Sequence, residues 1–341
     1  MTSFLTSEKR KAAFEQLGKY LVSPDDALKE QIRTANHHNS WFTPEETAKA
    51  VSSIGRMLNL EDLDKWLNFE DSKNSAAKKI GLILAGNIPM VGFHDILCVL
   101  ATGHIALIKP SSQDQKLIPF ILQKLIQIEP DFSKAIQLVD RLVGFDAVIA
   151  TGSNNTSRYF EHYFGKVPHI IRKNRNSVAI LTGQENSNTL QLLGKDIFDY
   201  YGLGCRNVSK LFVPKGYEFH PFFEAIEVYG RVSDNHKYSN NYDYNKSIFL
   251  VNGDKHLDNG FLLLKEDQKL ASPLAVLYYE EYENLAVLEK HLADINEQIQ
   301  CVVTLATLNL PNQVGFGDSQ NPKLWDYADG INTVEFLLSL Q

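Results

Sequence analysis

The sequence predicts an α/β protein built on parallel sheets. Three observations lead there. Short apolar runs alternate with segments of helical periodicity between Ile80 and Thr307, as expected for parallel strands joined by covering helices. The first such run, Ile80–Leu84, ends in a glycine turn, the usual close of a buried strand. The chain has 341 residues, 44% hydrophobic and 22% charged, which is ordinary globular composition and enough length for two sizeable cores.

The elements follow in order. Residues from about Ser7 to Trp66 read as helices, among them Lys9–Val22, Pro24–Asn36 and Thr43–Leu58, with a break at Asn39–Phe42. The last of these opens on TPEE, which supplies a threonine cap, a proline at the first helical position and acids in the first turn. A polar linker, Glu70–Lys79, leads into the strand Ile80–Leu84. A helix at Pro89–Ala101, a strand at His104–Ile108 and a helix at Ser112–Glu129 come next. Strands at Ile136–Val139 and Ala147–Ala150 and a helix from about Asn155 to Phe164 complete the first alternation. Beyond His169 further strands are expected at Val178–Leu181, Lys210–Val213, Ser247–Val251, Ala275–Tyr279 and Cys301–Thr307. The division between domains falls near Lys173–Ser177, and no internal repeat is visible.

Charge and cysteine content exclude several classes. A formal net charge of −7 leaves no basic excess for a dedicated nucleic-acid binder. Three widely spaced cysteines, Cys98, Cys205 and Cys301, form no CxxC pair, which argues against a zinc knuckle or a disulfide scaffold and fits a reducing cytoplasm. The amphipathic, charged N-terminus lacks the apolar run and cleavage site of a signal peptide. Ile80–Ile108 is long and mostly apolar, but Asn87, Pro89, His94, Asp95 and His104 interrupt it, so it reads as strand, loop, buried helix and strand rather than a membrane span.

Cys205 lies at the junction of two readable elements in YYGLGCRNVSKLFVP (200–214). Before it, Leu190, Leu193, Ile197 and Tyr201 recur at helical spacing, and Phe198 widens the stripe. Gly202 and Gly204 are expected to stop that helix. After it, Val208, Leu211, Phe212 and Val213 read as a strand closed by Pro214. A cysteine on a glycine turn can face a ligand from a fixed backbone, and Arg206 beside it favours the nucleophilic thiolate. A half-buried structural thiol is the plain alternative.

Three upstream loops follow strands, at the ends where open parallel sheets bind ligands. Gly86-Asn87-Ile88-Pro89 could turn the Asn87 amide toward a substrate oxygen, or simply cap a turn. In Lys109-Pro110-Ser111-Ser112 the lysine could hold a phosphate or a ribose, or be a solvated surface residue. Thr151-Gly152-Ser153-Asn154 opens a helix whose N–H groups and dipole suit an anion, and it also reads as a plain capped helix.

Taken in chain order, these stretches resemble the aldehyde dehydrogenase superfamily, and in particular its short fatty acyl-CoA reductase (LuxC-like) branch. The resemblance is carried by GNIPMVGFHDILCVLATGHIALIKPSS (86–112), FDAVIATGSNNTSRYF (145–160), GLGCRNVSKLFVP (202–214), SPLAVLYYEEYENL (272–285) and GFGDSQNPKLWDYADGINTVEFL (315–337). It implies an aldehyde-dehydrogenase-like fold: N-terminal helices and a Rossmann-like nucleotide-binding domain at 1–175, an α/β catalytic domain with the nucleophilic cysteine at 176–315, and a C-terminal segment, 316–341, packing on the first domain or a partner subunit. It implies that Cys205 forms an acyl thioester and that the Asn87 amide and the Cys205 backbone N–H make the oxyanion hole. It places Lys109, Ser111 and Ser112 at the cofactor's adenosine ribose and Gly152 and Ser153 at its pyrophosphate. A homo-oligomer is implied as well.

The departures from the superfamily pattern refine this. Oxidising members carry ELGGK, whose glutamate activates water. Here the matching stretch is IIRKNRNSVAIL and the glutamate position falls near Ile171, so reduction or acyl transfer is expected in place of hydrolysis. KPSE is replaced by Lys109-Pro110-Ser111-Ser112, which removes an acid that would repel a 2′-phosphate and admits NADPH, with NADH possible. E-x-F-G-P is replaced by Lys269-Leu270-Ala271-Ser272-Pro273, without the glutamate that holds the nicotinamide ribose. The expected activity is NADPH-dependent reduction of a fatty acyl-CoA, or another acyl thioester, to an aldehyde. An aldehyde-oxidising enzyme, an acyl-phosphate reductase and a non-catalytic acyl- or nucleotide-binding subunit are the alternatives.

Weaker features complete the reading. Arg172, Lys173 and Arg175 read as a solvated interdomain loop, with coenzyme A phosphates as the functional alternative. His94, His104 and His169 read as structural, though each could supply a proton. Tyr238–Tyr244 could line an acyl pocket or form a polar loop. Cys98 and Cys301 read as core.

Overall fold

The computed structural model describes residues 5–69, 76–152 and 154–340, with the side chains at 154 and 155 left aside. Most of the linker Glu70–Lys79 and all of Ser153 therefore lie outside the described residues. The chain divides into two compact units, one of residues 1–174 and 323–341, the other of 175–322. Residues 316–322 thus stay with the second unit, while the rest of the C-terminal segment belongs to the first.

The first unit opens with helices α1 (Ser7–Val22), α2 (Asp26–Thr34), α3 (Pro44–Met57) and α4 (Leu60–Trp66). Thr43 caps α3 by accepting from the Glu46 N–H, and Pro44 occupies the first helical position. Helices α1 and α3 meet backbone to backbone. A Cβ at Gly18 would lie 2.7 Å from Leu58 Cβ and 3.0 Å from the Gly55 carbonyl, so this crossing requires glycine.

Five strands follow: β1 (Lys79–Ile83), β2 (Ile105–Lys109), β3 (Ile136–Leu138), β4 (Ala147–Thr151) and β5 (His169–Arg172). They pair in the order β3-β2-β1-β4-β5, parallel throughout. Helices α5 (Phe93–Ala101), α6 (Leu117–Ile128) and α7 (Asn154–Phe164) connect them. All of α5 is buried except the half-buried His94, so the apolar run 80–108 is strand, loop, buried helix and strand. Among the described residues no helix is long and apolar enough to cross a membrane.

Strand β5 lies on HIIR, and its last residue, Arg172, corrects the expected solvated basic cluster. Arg172 is buried, with its side chain 4% exposed. Its Nε and Nη2 donate to the two Asp95 carboxylate oxygens at 3.2 and 2.6 Å, Nη1 donates to the Ala328 carbonyl at 2.6 Å, and Nη2 also reaches Thr333 Oγ1 at 2.9 Å. A buried guanidinium needs this full set of acceptors, because an isolated buried charge is costly. Arg172 therefore ties β5 to α5 and to the C-terminal segment, which ends in a helix at Thr333–Leu338. Lys173 pairs with Glu161 at the surface.

The second unit contains β6 (Asn176–Ile180), α8 (Ser187–Phe198), β7 (Val208–Pro214), α9 (His220–Ile226), α10 (His236–Asn252), β8 (Leu257–Asp258), β9 (Leu263–Glu266), β10 (Val276–Tyr282), α11 (Leu285–Asp294), β11 (Ile299–Val303) and β12 (Gln313–Val314). Its seven-stranded sheet runs β12-β11-β6-β7-β10-β9-β8, parallel except for the antiparallel edge pair β8–β9. Val178, Ile180 and Phe212 pack with Leu288, Leu292, Ile299 and Val302 into its core.

The strand expected at Ser247–Val251 is instead the last part of α10. Tyr238, Tyr242, Asn245 and Phe249 are buried at helical spacing, and Gly253 closes the helix with φ 69°. SIFLV reads as a strand because it is locally apolar, but Leu250 and Val251 are 64% and 85% exposed. The buried stripe is spread among polar residues, which hides it from a local reading. The same helix contains Tyr238–Tyr244, so that stretch is no loop, and Tyr238 is spent on the core, where its hydroxyl donates to the Phe261 carbonyl at 3.1 Å.

Arg172→Leu should destabilise the protein by about 3–5 kcal/mol, because it leaves the Asp95 carboxylate buried without its partner. The double variant Arg172→Leu/Asp95→Leu should lose less. Urea unfolding followed by tryptophan fluorescence checks both, and a double variant weaker than the single one contradicts the account.

Candidate active site

In the first unit the loops singled out from the sequence leave the carboxyl ends of three neighbouring strands, β2, β1 and β4. Strands β1 and β4 are adjacent although distant in sequence, so the order reverses between them, and open α/β sheets bind ligands at such a point. The β1 and β2 loops touch. A Cβ on Gly86 would fall 2.3 Å from Ser111 Oγ and 2.7 Å from Ser111 Cβ, so glycine is required for its loop to lie against Ser111. Asn39 Nδ2 donates to the Gly86 carbonyl at 3.3 Å and fixes the loop from below. Asn87, the next residue, is exposed.

Lys109 is the exposed last residue of β2, and Ser112 is exposed beside the half-buried Ser111, whose Oγ accepts from the Gln113 N–H. Asp114, two residues on, is buried and turned inward. It accepts from the Met90 N–H at 3.3 Å, and burial raises its carboxyl pKa against the pull of the Met90, Ile118 and Leu117 N–H groups. Gly152 follows β4 directly, and a Cβ there would meet Phe160 at 2.9 Å and Thr156 at 3.0 Å. Its neighbour Ser153 lies outside the described residues. The first unit thus gathers Asn87, Lys109, Ser111, Ser112 and Gly152 on one edge of its sheet. That edge, with a lysine, hydroxyls and a glycine, fits the ribose and phosphates of a nucleotide.

Cys205 belongs to the second unit and lies just before β7, at the amino edge of that sheet. Its three-dimensional setting differs from the sequence reading in detail. Helix α8 stops at Phe198, before the glycines, because Tyr200, Tyr201 and Gly202 all take positive φ, at 54°, 58° and 79°. Two successive tyrosines in the left-handed region mark a strained path. Residues 204–207 then form a β-turn closed by the Asn207 N–H donating to the Gly204 carbonyl at 3.0 Å, with Cys205 exposed at its first corner. Ser177 Oγ donates to the Cys205 carbonyl at 2.9 Å. Arg206 Nη1 contacts Cys301 Sγ at 3.2 Å and donates to the Ser319 carbonyl at 3.4 Å.

Asp196, wholly buried near the end of α8, anchors residues 317–319 by accepting from the Gly317 and Ser319 N–H groups at 2.6 and 3.0 Å. Burial pushes its carboxyl up to about 6, against the opposing pull of the Gly317 and Ser319 donors. Nothing in the sequence distinguishes this aspartate, because its partners lie on a segment remote in the chain.

The histidines are engaged structurally. His104 is buried between the Lys78 N–H and the Leu337 carbonyl, and burial lowers its pKa. His94 Nε2 lies 2.9 Å from the Leu324 carbonyl, between the rings of Trp66 and Tyr327. His169 is exposed, with Nδ1 2.8 Å from the Val167 carbonyl. Cys98 and Cys301 are core residues at 0% and 1% exposure.

Comparison with known families decides the kinship. The acyl-CoA reductase (LuxC) family model matches residues 8–222, well over half of the chain. The chain belongs to this family. The match takes in the three loops of the first unit and the Cys205 turn of the second. No protein with a curated description matches the sequence. Among solved structures, aldehyde dehydrogenase 21 from Physcomitrella patens is similar over 99% of this chain and 85% of its own, with a TM-score of 0.70 at 13% identity. The aldehyde dehydrogenase KauB from Pseudomonas aeruginosa matches over 92% of this chain and 77% of its own, with a TM-score of 0.65 at 14% identity. An NADP-dependent enzyme from E. coli matches over 92% and 78%, with a TM-score of 0.66 at 13% identity. At such identities the likeness establishes the aldehyde dehydrogenase fold for this LuxC-family chain.

The raised Asp196 pKa has a sign that can be tested. The folded state holds this proton to about pH 6, whereas an unfolded aspartate releases it near 3.8. The contribution is present below pH 4 and is lost as pH rises to 6, on the order of 3 kcal/mol. Relative to Asp196→Asn, which cannot titrate there, the wild type should lose that much stability between pH 4 and 7. Urea unfolding followed by circular dichroism measures the gap, and a gap independent of pH refutes the assignment.

Proposed function

We propose that this LuxC-family protein reduces a fatty acyl-CoA, or another acyl thioester, to an aldehyde with NADPH, through a thioester on Cys205. The observation that carries the reading is the family match across the exposed Cys205 turn, on the fold of enzymes that act through such a cysteine. The Cys205 thiolate attacks the acyl carbonyl carbon, a new C–S bond forms, and the coenzyme A thiolate leaves and takes its proton from solvent. A nicotinamide cofactor, held by Lys109, Ser111, Ser112, Gly152 and Ser153, would supply the hydride that reduces the thioester carbon. Collapse of the resulting oxyanion breaks the C–S bond, releases the aldehyde and returns Cys205 as thiolate. The protein's part is to hold the carbonyl and its developing negative charge. The family resemblance gives that part to the Cys205 N–H and the Asn87 amide, where one preorganised donor is worth about 3 kcal/mol.

Two features favour reduction over hydrolysis and NADPH over NADH. Near the position of the water-activating glutamate stands Ile171, a β5 residue paired with Ala150, whose hydrocarbon side chain cannot take a proton from water. Positions 111 and 112 after Lys109 are serines, and the next acid along the chain, Asp114, is buried and occupied by backbone N–H groups. A 2′-phosphate bound there would meet Lys109 and two hydroxyls in place of the superfamily's carboxylate. We assign Lys109, Ser111 and Ser112 to the adenosine ribose and its phosphate, and Gly152 and Ser153 to the pyrophosphate.

Incubation with radiolabelled acyl-CoA should label the wild type and leave Cys205→Ala unlabelled, and labelling of the variant at wild-type levels removes Cys205 from the mechanism. In product assays, aldehyde should form from acyl-CoA and NADPH, and acid formed from aldehyde with NAD would instead identify an oxidising enzyme. Ser112→Glu should shift preference from NADPH toward NADH by about tenfold, because the new carboxylate repels the 2′-phosphate. Steady-state kinetics with both cofactors measures the shift.

A further inference from the structure

We infer that Asn207, together with Ser177, is a positioning residue that fixes the backbone of Cys205 for reaction. The inference rests on the reading of Cys205 as the nucleophile.

The chain reaches Cys205 in an awkward way. Helix α8 ends with unsatisfied carbonyls, as every helix does, and the left-handed residues 200–202 carry the chain away before a further helical turn could cover them. One side chain takes up the slack. Asn207 Nδ2 donates to the carbonyls of Asp199 at 2.8 Å, Asp196 at 3.1 Å and Ile197 at 3.4 Å. Its Oδ1 accepts from the Gly204 N–H at 2.8 Å, and its own N–H closes the turn onto the Gly204 carbonyl. The residue is only 3% exposed, so the groups it bonds are shielded from solvent.

Few side chains can do this. The site needs a donor facing carbonyls and an acceptor facing an N–H on one short, rigid group. Aspartate has the same shape but would aim a carboxylate at three carbonyl oxygens. Alanine would strand those carbonyls and the Gly204 N–H together. The second support comes from the other side of the turn. Ser177 is fully buried at the start of β6, and its hydroxyl holds the Cys205 carbonyl at 2.9 Å. Ser177 thus holds the peptide unit after Cys205, the Asn207 backbone N–H holds the unit before it through the Gly204 carbonyl, and the Asn207 side chain holds the next unit back through the Gly204 N–H and ties the whole turn to the end of α8. That fixes the directions of the Cys205 N–H and side chain, which an oxyanion-stabilising turn requires. A displacement of about 1 Å at such a position costs on the order of 100-fold in rate.

The test compares wild type, Asn207→Ala, Asn207→Asp, Ser177→Ala and Cys205→Ala for kcat and KM with acyl-CoA, and for iodoacetamide alkylation of Cys205 as a function of pH. Thermal melts establish which variants fold. Alkylation requires the thiolate but no held carbonyl, so it separates positioning from loss of the thiol. In folded Asn207 variants kcat should fall about 100-fold, KM should change less than threefold, and the alkylation rate and its pH midpoint should stay within threefold and unshifted. Ser177→Ala, a smaller perturbation, should lower kcat about tenfold with KM and alkylation again held. A kcat within threefold of wild type in the folded Asn207 variants overturns the inference. So does a loss in which KM or alkylation changes in step with kcat. Should the Asn207 variants not fold, Ser177→Ala decides, and an unchanged kcat there overturns it. Activity surviving in Cys205→Ala would instead sink the nucleophile reading itself, whereas an inactive Cys205→Ala beside fully active Asn207 and Ser177 variants removes the positioning role alone.

Discussion

Parallel strands cannot be joined by tight hairpins, and that constraint arranges this chain. Each strand must be followed by a crossover long enough to return to the starting edge, so the connections alternate between the two edges of each sheet. In the first unit this brings the loops after β1, β2 and β4 to one edge although they are far apart in sequence. In the second unit it puts the Cys205 turn at the opposite kind of edge, the amino end, because the cysteine precedes its strand. Loops at either edge are free to carry chemistry, because the strands beneath them are held on both faces by packing.

Close approach is then bought with unusual backbone. Gly86 lets its loop lie against Ser111, and Gly18 and Gly55 let two helices touch at main-chain distance. The Cys205 turn goes further, with Tyr200 and Tyr201 in the left-handed region ahead of Gly202. Such residues persist only where their surroundings leave no alternative. Here the surroundings are specific: a buried amide, a buried hydroxyl and the end of a helix.

Buried charge performs a related task at longer range. Arg172 joins β5 to α5 and to residues 328 and 333, and Asp196 joins α8 to residues 317 and 319. The last stretch of the chain is thus divided between the units by two ionisable side chains, each surrounded by partners. These ties act beside apolar anchors on the same stretch, where Phe316, Leu324, Val334 and Leu337 are buried. A guanidinium with several acceptors, and a carboxylate with two N–H donors, bring a directionality that apolar contacts lack.

What the sequence determined by itself was the pattern: alternating apolar runs and helical stripes, their order, and the succession of loop motifs around Asn87, Lys109, Gly152 and Cys205. These are local signals, and periodicity and glycine placement register them directly. The α/β fold and the family were legible for that reason. The sequence misplaced what depends on distant partners. Ser247–Val251 reads as a strand until Tyr238, Tyr242, Asn245 and Phe249 are seen to be buried together on one helix. Arg172 reads as a solvated residue until Asp95 and Thr333 close around it. Asn207 carries no signal at all, because its importance lies in three carbonyls that only the folded chain delivers to one amide. Hydrogen bonds and ion pairs act over about 3 Å between residues far apart in sequence, so only the tertiary structure could decide which polar side chains hold the site.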